Sequence, residues 1–149
     1  MSYIRVKDRW NYLCVIINLY NREIVGYSIS EHHDSELVKQ AFIMVRSCLP
    51  KVQIFHSDRG SEYNNYELDE ILKINGIERS LSRKGNPYDN AVAESTFKMI
   101  KTEFVRSRWF SSIEHLRLEW TAYVYWFNNK RIHSSLGYLS PVQYKNTLL

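Results

Sequence analysis

With 149 residues, 44% hydrophobic and 24% charged, the chain has the length and composition of one globular domain with a real core, not of a fibrous or disordered segment. No apolar run approaches the ~18 residues of a membrane span, and no basic-then-apolar leader opens the chain, so no membrane partner is expected and a cytoplasmic setting is. The net charge of +4 is unevenly placed: residues 1–78 carry −2, residues 79–108 carry +4 and residues 109–149 carry +2. A basic stretch poor in acids suits a polyanion, most often nucleic acid, although on charge alone a solvated helix face is the simpler reading.

Tyr3 to Val6 alternates and is rich in strand formers, and Lys7-Asp8-Arg9 is a polar turn. Leu13 to Ile17 is a continuous apolar run, as expected of a strand buried on both faces. After a turn at Tyr20 to Glu23, Ile24 to Ile29 forms a third strand and completes an antiparallel meander. The period then changes. Asp34 or Ser35 is placed to cap a helix carrying Leu37, Ala41, Met44, Val45 and Cys48, and Pro50 stops it. Val52 to Phe55 reads as a short buried strand ending at His56-Ser57-Asp58, Tyr66 to Asn75 as a helix closed by Gly76, and Ile77 to Leu81 as the last strand. Strands separated by helices imply parallel pairing with helices covering the sheet. Cys14 and Cys48 lie in apolar surroundings and read as buried, reduced thiols in preference to a single disulfide, with no zinc-ligand spacing.

Arg83 to Asp89 is a loop by composition, and Asp89 or Asn90 caps a helix running to about Phe104. Ser111 and Glu114 read as a capping box for a helix whose apolar stripe is Ile113, Leu116, Trp120, Val124 and Phe127. Ser140-Pro141 opens a short final helix. No repeat or linker divides residues 1–149, so a single domain is expected.

Two carboxylates stand out. Asp58 ends a strand, where function gathers in mixed α/β sheets, although aspartate before Arg59-Gly60 is also ordinary turn chemistry. Glu94 lies one turn into the helix whose apolar stripe is Ala93, Phe97, Ile100 and Phe104, so it sits at the border of core and solvent. Lys98 and Lys101 share its face at +4 and +7. The plain reading is a surface Glu–Lys pair. The functional reading is a carboxylate beside a groove, suited to Mg²⁺, with ammonium groups suited to phosphate.

Thirty-five residues separate Asp58 from Glu94. That spacing, the segment His56-Ser57-Asp58-Arg59-Gly60-Ser61-Glu62-Tyr63 and the basic Lys101 resemble the catalytic core of the retroviral-integrase superfamily, with its D-D-35-E acids. Gly85 to Ser95, and the later Asn128, Arg131, His133, Gly137-Tyr138 and Ser140-Pro141, resemble bacterial insertion-sequence transposases in particular. The resemblance implies an RNase H-like α/β fold: a five-stranded mixed sheet, its first three strands antiparallel, with helices on both faces. It also implies Asp58 and Glu94 as catalytic and metal-binding acids and Mg²⁺ (or Mn²⁺) as cofactor, two ions in the complete site. Their chemistry is phosphodiester cleavage and strand transfer on DNA. Arg83, Lys84, Lys98 and Lys101 are the residues expected to touch DNA. The partners implied are DNA and a second copy of the chain, a dimer, in a bacterial, nucleoid-associated setting.

The sequence departs from that pattern in two places. The family's first acid precedes a segment like Met1-Ser2-Tyr3-Ile4, so it falls immediately upstream of Met1, and Asp8, in the first hairpin turn, does not replace it. Asn18 stands where these transposases usually have aspartate, and asparagine can hold the following turn equally well. The expectation is therefore a transposase core that is inactive by itself for want of the first acid. The alternative is a non-catalytic DNA-binding or dimerising remnant; a nuclease of the RNase H type fits less well, because it would not share the Asn128-to-Pro141 signature.

Overall fold

Apolar alternation over the first thirty residues produces β1 (Ser2–Val6), β2 (Arg9–Ile17) and β3 (Ile24–Ser30). β1 and β2 are antiparallel in a register running from Ser2 opposite Leu13 to Val6 opposite Arg9. β2 and β3 are antiparallel from Tyr12 opposite Ser30 to Ile16 opposite Gly26, with a register shift before Ile17. The molecule is a computed structural model describing residues 1–48, 52–84, 86 and 90–147, without the side chains of 46–48. Asn18 holds the β2–β3 turn as its aspartate counterpart would: its Oδ1 accepts the Tyr20 amide at 3.0 Å, and Arg22 donates to its carbonyl at 2.8 Å.

The apolar run of β2 is explained by two cores. Leu13 and Val15 face one side and pack with Ile4, Ile24, Phe104, Trp120 and Phe127. Tyr12, Cys14 and Ile16 face the other and pack with Leu37, Ala41, Phe42, Phe55, Leu68 and Leu72. On that second side α1 (Ser35–Cys48), whose cap is Asp34, presses close to β3. A Cβ on Gly26 would stand 2.5 Å from the Ala41 carbonyl oxygen, so only glycine permits this approach.

β4 (Ile54–Ser57) and β5 (Glu78–Leu81) are parallel, with Ile54 opposite Glu78 and Ser57 opposite Leu81, and α2 (Tyr66–Ile74) connects them. Asn65 caps α2, and Gly76 at φ +66° closes it, letting the Ile77 amide return to the Leu72 carbonyl at 2.9 Å. β4 starts two residues later than the hydrophobic run suggests, and Ile54 is exposed because one face of this strand is not covered at its start.

Five strands are present, the first three antiparallel, with helices on both faces. Their hydrogen bonding corrects the expected single sheet: among the described residues it forms a three-stranded ladder and a two-stranded one. Side chains join the two, as where Phe42 of α1 meets Phe55 of β4 edge-on with ring centroids 5.6 Å apart.

The other face is covered by α3 (Ala91–Ile100), which continues into a π-helical turn (Lys101–Val105), and by α4 (Ile113–Asn129). Leu116, Trp120, Val124 and Phe127 are buried as their spacing predicts. The cap of α4 differs from expectation. Ser112, not Ser111, accepts the first-turn amide, from His115, while Ser111 bonds the His115 ring. A true capping box forms instead at α5 (Pro141–Asn146), between Ser140 and Gln143. The expected roles of Asp89, Pro50 and the Cys48 side chain fall outside the described residues.

Three links fasten this C-terminal half to the sheet. Asn128 exchanges two hydrogen bonds with the backbone of Ile24, both 2.9 Å. Asn21 donates to the Pro141 carbonyl at 3.2 Å. Arg131 pairs with Glu103 of the π turn at 2.6 Å, and Tyr123 donates to the same carboxylate at 2.8 Å. Burial would raise the Glu103 carboxyl, but the bonds from Arg131 and Tyr123 outweigh it and hold it below the usual range. No helix among the described residues is long and apolar enough to cross a membrane.

Candidate active site and nucleic-acid interface

Parallel pairing places the C-terminal ends of β4 and β5 at one edge. Asp58 follows β4 directly, exposed, with its Oδ1 accepting the Gly60 amide at 2.8 Å in an Asx turn. Arg83 and Lys84 follow β5 on the same edge and are exposed. The two ends are stitched together: Ser82 donates its amide to the Ser57 carbonyl at 3.0 Å, and Arg59 donates its Nε to the Ser82 carbonyl at 3.1 Å.

α3 begins beside this edge. His56, two residues before Asp58, bonds Ser80 of β5 through Nδ1 at 2.9 Å and the Asn90 side-chain oxygen through Nε2 at 3.2 Å. Asn90 is the residue at the head of α3, and Glu94 lies one turn further on, exposed. The expected stripe of α3 is partly borne out: Ile100 and Phe104 are fully buried, Ala93 and Phe97 are half-buried, and Thr96 is buried between them.

The simple surface pair does not form. Among the described residues neither Lys98 nor Lys101 reaches a carboxylate, and neither Asp58 nor Glu94 is ion-paired. Lys101, at the end of α3, comes near the start of β1. Burial lowers the pKa of the Met1 amine, and Lys101 lowers it further, while Asp58 and Glu62 act on it in the opposite sense. The charges of Asp58, Glu62 and Lys101 are thus all felt by the Met1 amine at the start of β1.

Glu62 and Arg59 are the additions that sequence spacing did not single out. The Glu62 carboxylate lies over Gly60, where a Cβ would stand 2.7 Å from its Oε1, and it faces His33 Nε2 at 3.7 Å. These side chains border an open polar cleft of about 390 Å³, lined by His33, Asp34, Ser61, Glu62, Asn64 and Asn65 among others. The one available signal was the local segment Ser57 to Tyr63, which has no periodicity to separate its polar residues. Gly85 and residues 87–89 of the loop expected to touch DNA lie outside the described residues.

As a donor set, the site offers hard carboxylate oxygens, which suit Mg²⁺ or Mn²⁺. Among the described residues no group of three or more His, Cys, Asp or Glu side chains is gathered to hold a metal. The residues therefore fit as a partial ligand set.

The integrase core domain model matches residues 1–87, and a second integrase core domain model matches residues 94–149. The transposase for insertion sequence element IS904 of Lactococcus lactis is 36% identical over 97% of this chain and 58% of its own length. Transposase InsF for insertion sequence IS3A of Escherichia coli is 36% identical over 98% of this chain and 52% of its own. The chain therefore spans about half the length of these relatives. The HTLV-2 integrase catalytic core domain, solved in complex with magnesium, superposes with a TM-score of 0.74 at 15% identity, covering 96% of this chain and 90% of that one. Its fold is thus shared where its sequence is not, and the chain belongs to the integrase core domain family, with insertion-sequence transposases as its sequence relatives.

Proposed function

We propose that this domain is the catalytic core of a DNA transposase, in which Asp58 and Glu94 are metal-holding acids and Lys98, Lys101, Arg83 and Lys84 receive DNA phosphates. The observation that supports the reading is the hydrogen bond by which His56, two residues before Asp58, meets Asn90 at the head of the helix that bears Glu94. Metal bound there supplies charge neutralisation at the scissile phosphate and activation of the attacking oxygen.

The protein's own contribution is positional. The Gly60 amide, by bonding one oxygen of Asp58, orients that carboxylate and leaves the other oxygen available. Lys98 and Lys101, without carboxylate partners among the described residues, keep their charge available for phosphate. Arg59, bonded to the Ser82 carbonyl, ties Asp58's loop to the one carrying Arg83 and Lys84.

A second reading, a DNA-binding module without catalysis, is favoured by the donor set: among the described residues no group of three or more His, Cys, Asp or Glu side chains is gathered to hold a metal. Both readings expect residues 1–149 to bind DNA without cutting it. They part on metal. In the first, Mn²⁺ binds weakly and Asp58→Asn or Glu94→Gln removes the binding; in the second, neither substitution matters. Titration of Mn²⁺ by electron paramagnetic resonance decides between them. Mn²⁺-dependent cleavage of duplex DNA by this chain, lost in Asp58→Asn, would show that two acids suffice and overturn the expectation of inactivity.

A further inference from the structure

We infer that the His56 imidazole is the strut that sets the distance between the strand bearing Asp58 and the helix bearing Glu94, an inference that rests on the reading of those two acids given above.

The geometry of β4 aims the ring. Phe55 and Ser57 point into the core shared with α1 and α2, so His56, between them, projects from the opposite face, toward α3. There both ring nitrogens are engaged, Nδ1 with Ser80 at 2.9 Å and Nε2 with Asn90 Oδ1 at 3.2 Å. Asn90 Oδ1 can only accept, so Nε2 donates to it, while Nδ1 shares a hydrogen bond with the Ser80 hydroxyl. The ring thereby spans β5, β4 and the head of α3 in a single rigid link.

A second observation concerns Asn90. Asparagine at a helix head normally turns its side chain back onto the first-turn amides. Here it makes no such cap bond. Its side chain reaches out to His56 instead, so it ties α3 to β4 rather than capping its own helix. Glu94 is one turn from the held residue and Asp58 two residues from the holding one, so the link joins the two backbone segments that carry the carboxylates. Groups that orient metal ligands from behind commonly contribute about 10–100-fold to metal affinity.

The test uses Mn²⁺ alone as the probe, with affinity read by electron paramagnetic resonance and folding by thermal melting. His56→Ala and Asn90→Ala are each expected to weaken Mn²⁺ binding about tenfold, with the double variant no worse than either single one, since both break one link. His56→Gln, whose terminal amide can still donate to Asn90, is expected to recover most of the affinity. His56→Asn, long enough only for Ser80, is not. That ordering separates a strut to α3 from mere stitching of β4 to β5, which His56→Asn would preserve. Asn90→Ala, at a half-buried position, serves if His56→Ala does not fold. Undiminished Mn²⁺ binding in Asn90→Ala and His56→Ala, with binding abolished in Asp58→Asn, would overturn the strut while sparing the acids. Undiminished binding in Asp58→Asn and Glu94→Gln would remove the reading of the acids and the strut with it.

Discussion

Replacing Asn128 by alanine tests whether the C-terminal signature holds the fold together. Its side chain acts as one residue of an added strand. Oδ1 accepts the Ile24 amide and Nδ2 donates to the Ile24 carbonyl, each at 2.9 Å, in a buried position at the start of β3. Alanine removes both partners at once. Ile24 is only 4% exposed, so water reaches the orphaned groups poorly. A buried polar group left unpaired costs about 1–3 kcal/mol, so the two together should cost about 3 kcal/mol once partial relaxation is allowed. For a chain of this size each kcal/mol moves the melting temperature by about 2–4 °C, giving an expected drop of about 6–12 °C. Thermal melting by circular dichroism reads it directly. Asn129→Ala is the control: that side chain only returns to the Tyr125 carbonyl of its own helix, and its removal should be nearly silent. If Asn128→Ala melts within about 2 °C of the parent protein, the clamp contributes far less than its geometry implies.

The paired substitution Lys98→Ala with Lys101→Ala should weaken duplex DNA binding and lower the slope of log affinity against log salt by about 0.9 for each phosphate no longer neutralised; an unchanged slope would remove α3 from the interface. His133 should make stability depend on pH. Burial lowers its pKa, Arg131 lowers it further and Glu103 opposes them, so the folded state disfavours its protonation. The stability it contributes is present above the unfolded value near 6.5 and is lost as pH falls below it toward the depressed folded value. The fall in melting temperature between pH 7.5 and 5.5 should therefore shrink in His133→Phe, and equal falls would contradict the assignment. In a Cys48→Ser background the Cys14 thiol, pushed up to about 11 chiefly by burial, should resist alkylation at pH 8 until the protein unfolds; labelling at the rate of a small thiol would show it to be accessible.

What was legible in the sequence was whatever has a period or a fixed spacing. The run Leu13 to Ile17 announced a strand between two cores, and Leu116, Trp120, Val124 and Phe127 announced the buried face of α4, because burial imposes those repeats. Gly76 announced its helix end because only a residue at ease with positive φ closes a helix in that way. The thirty-five-residue interval pointed to Asp58 and Glu94, yet it did not show how the elements that carry them meet. That depends on His56 meeting Asn90 across 34 positions, and on Glu62 folding over Gly60, pairings set by tertiary geometry with no local pattern. The cap of α4 was misplaced by one residue because Ser111 and Ser112 are chemically equivalent. Only the approach of the His115 ring to Ser111 distinguishes them.

The π turn at Lys101–Val105 gives the long helix two phases. Its wider loop, closed by the Arg106 amide on the Lys101 carbonyl at 2.9 Å, accommodates one residue more than an α turn. Residues before it, with Glu94 and Lys98, keep one rotational setting; residues after it, with Glu103 tied to Arg131 and Phe104 in the core, keep another. An uninterrupted α-helix would couple the two, so that any repacking of α4 against Phe104 rotated Glu94 as well. Here the change of phase begins at Lys101. The extra residue of the π turn thus sets the angle between the face that carries Glu94 and Lys98 and the one that seats Phe104 in the core.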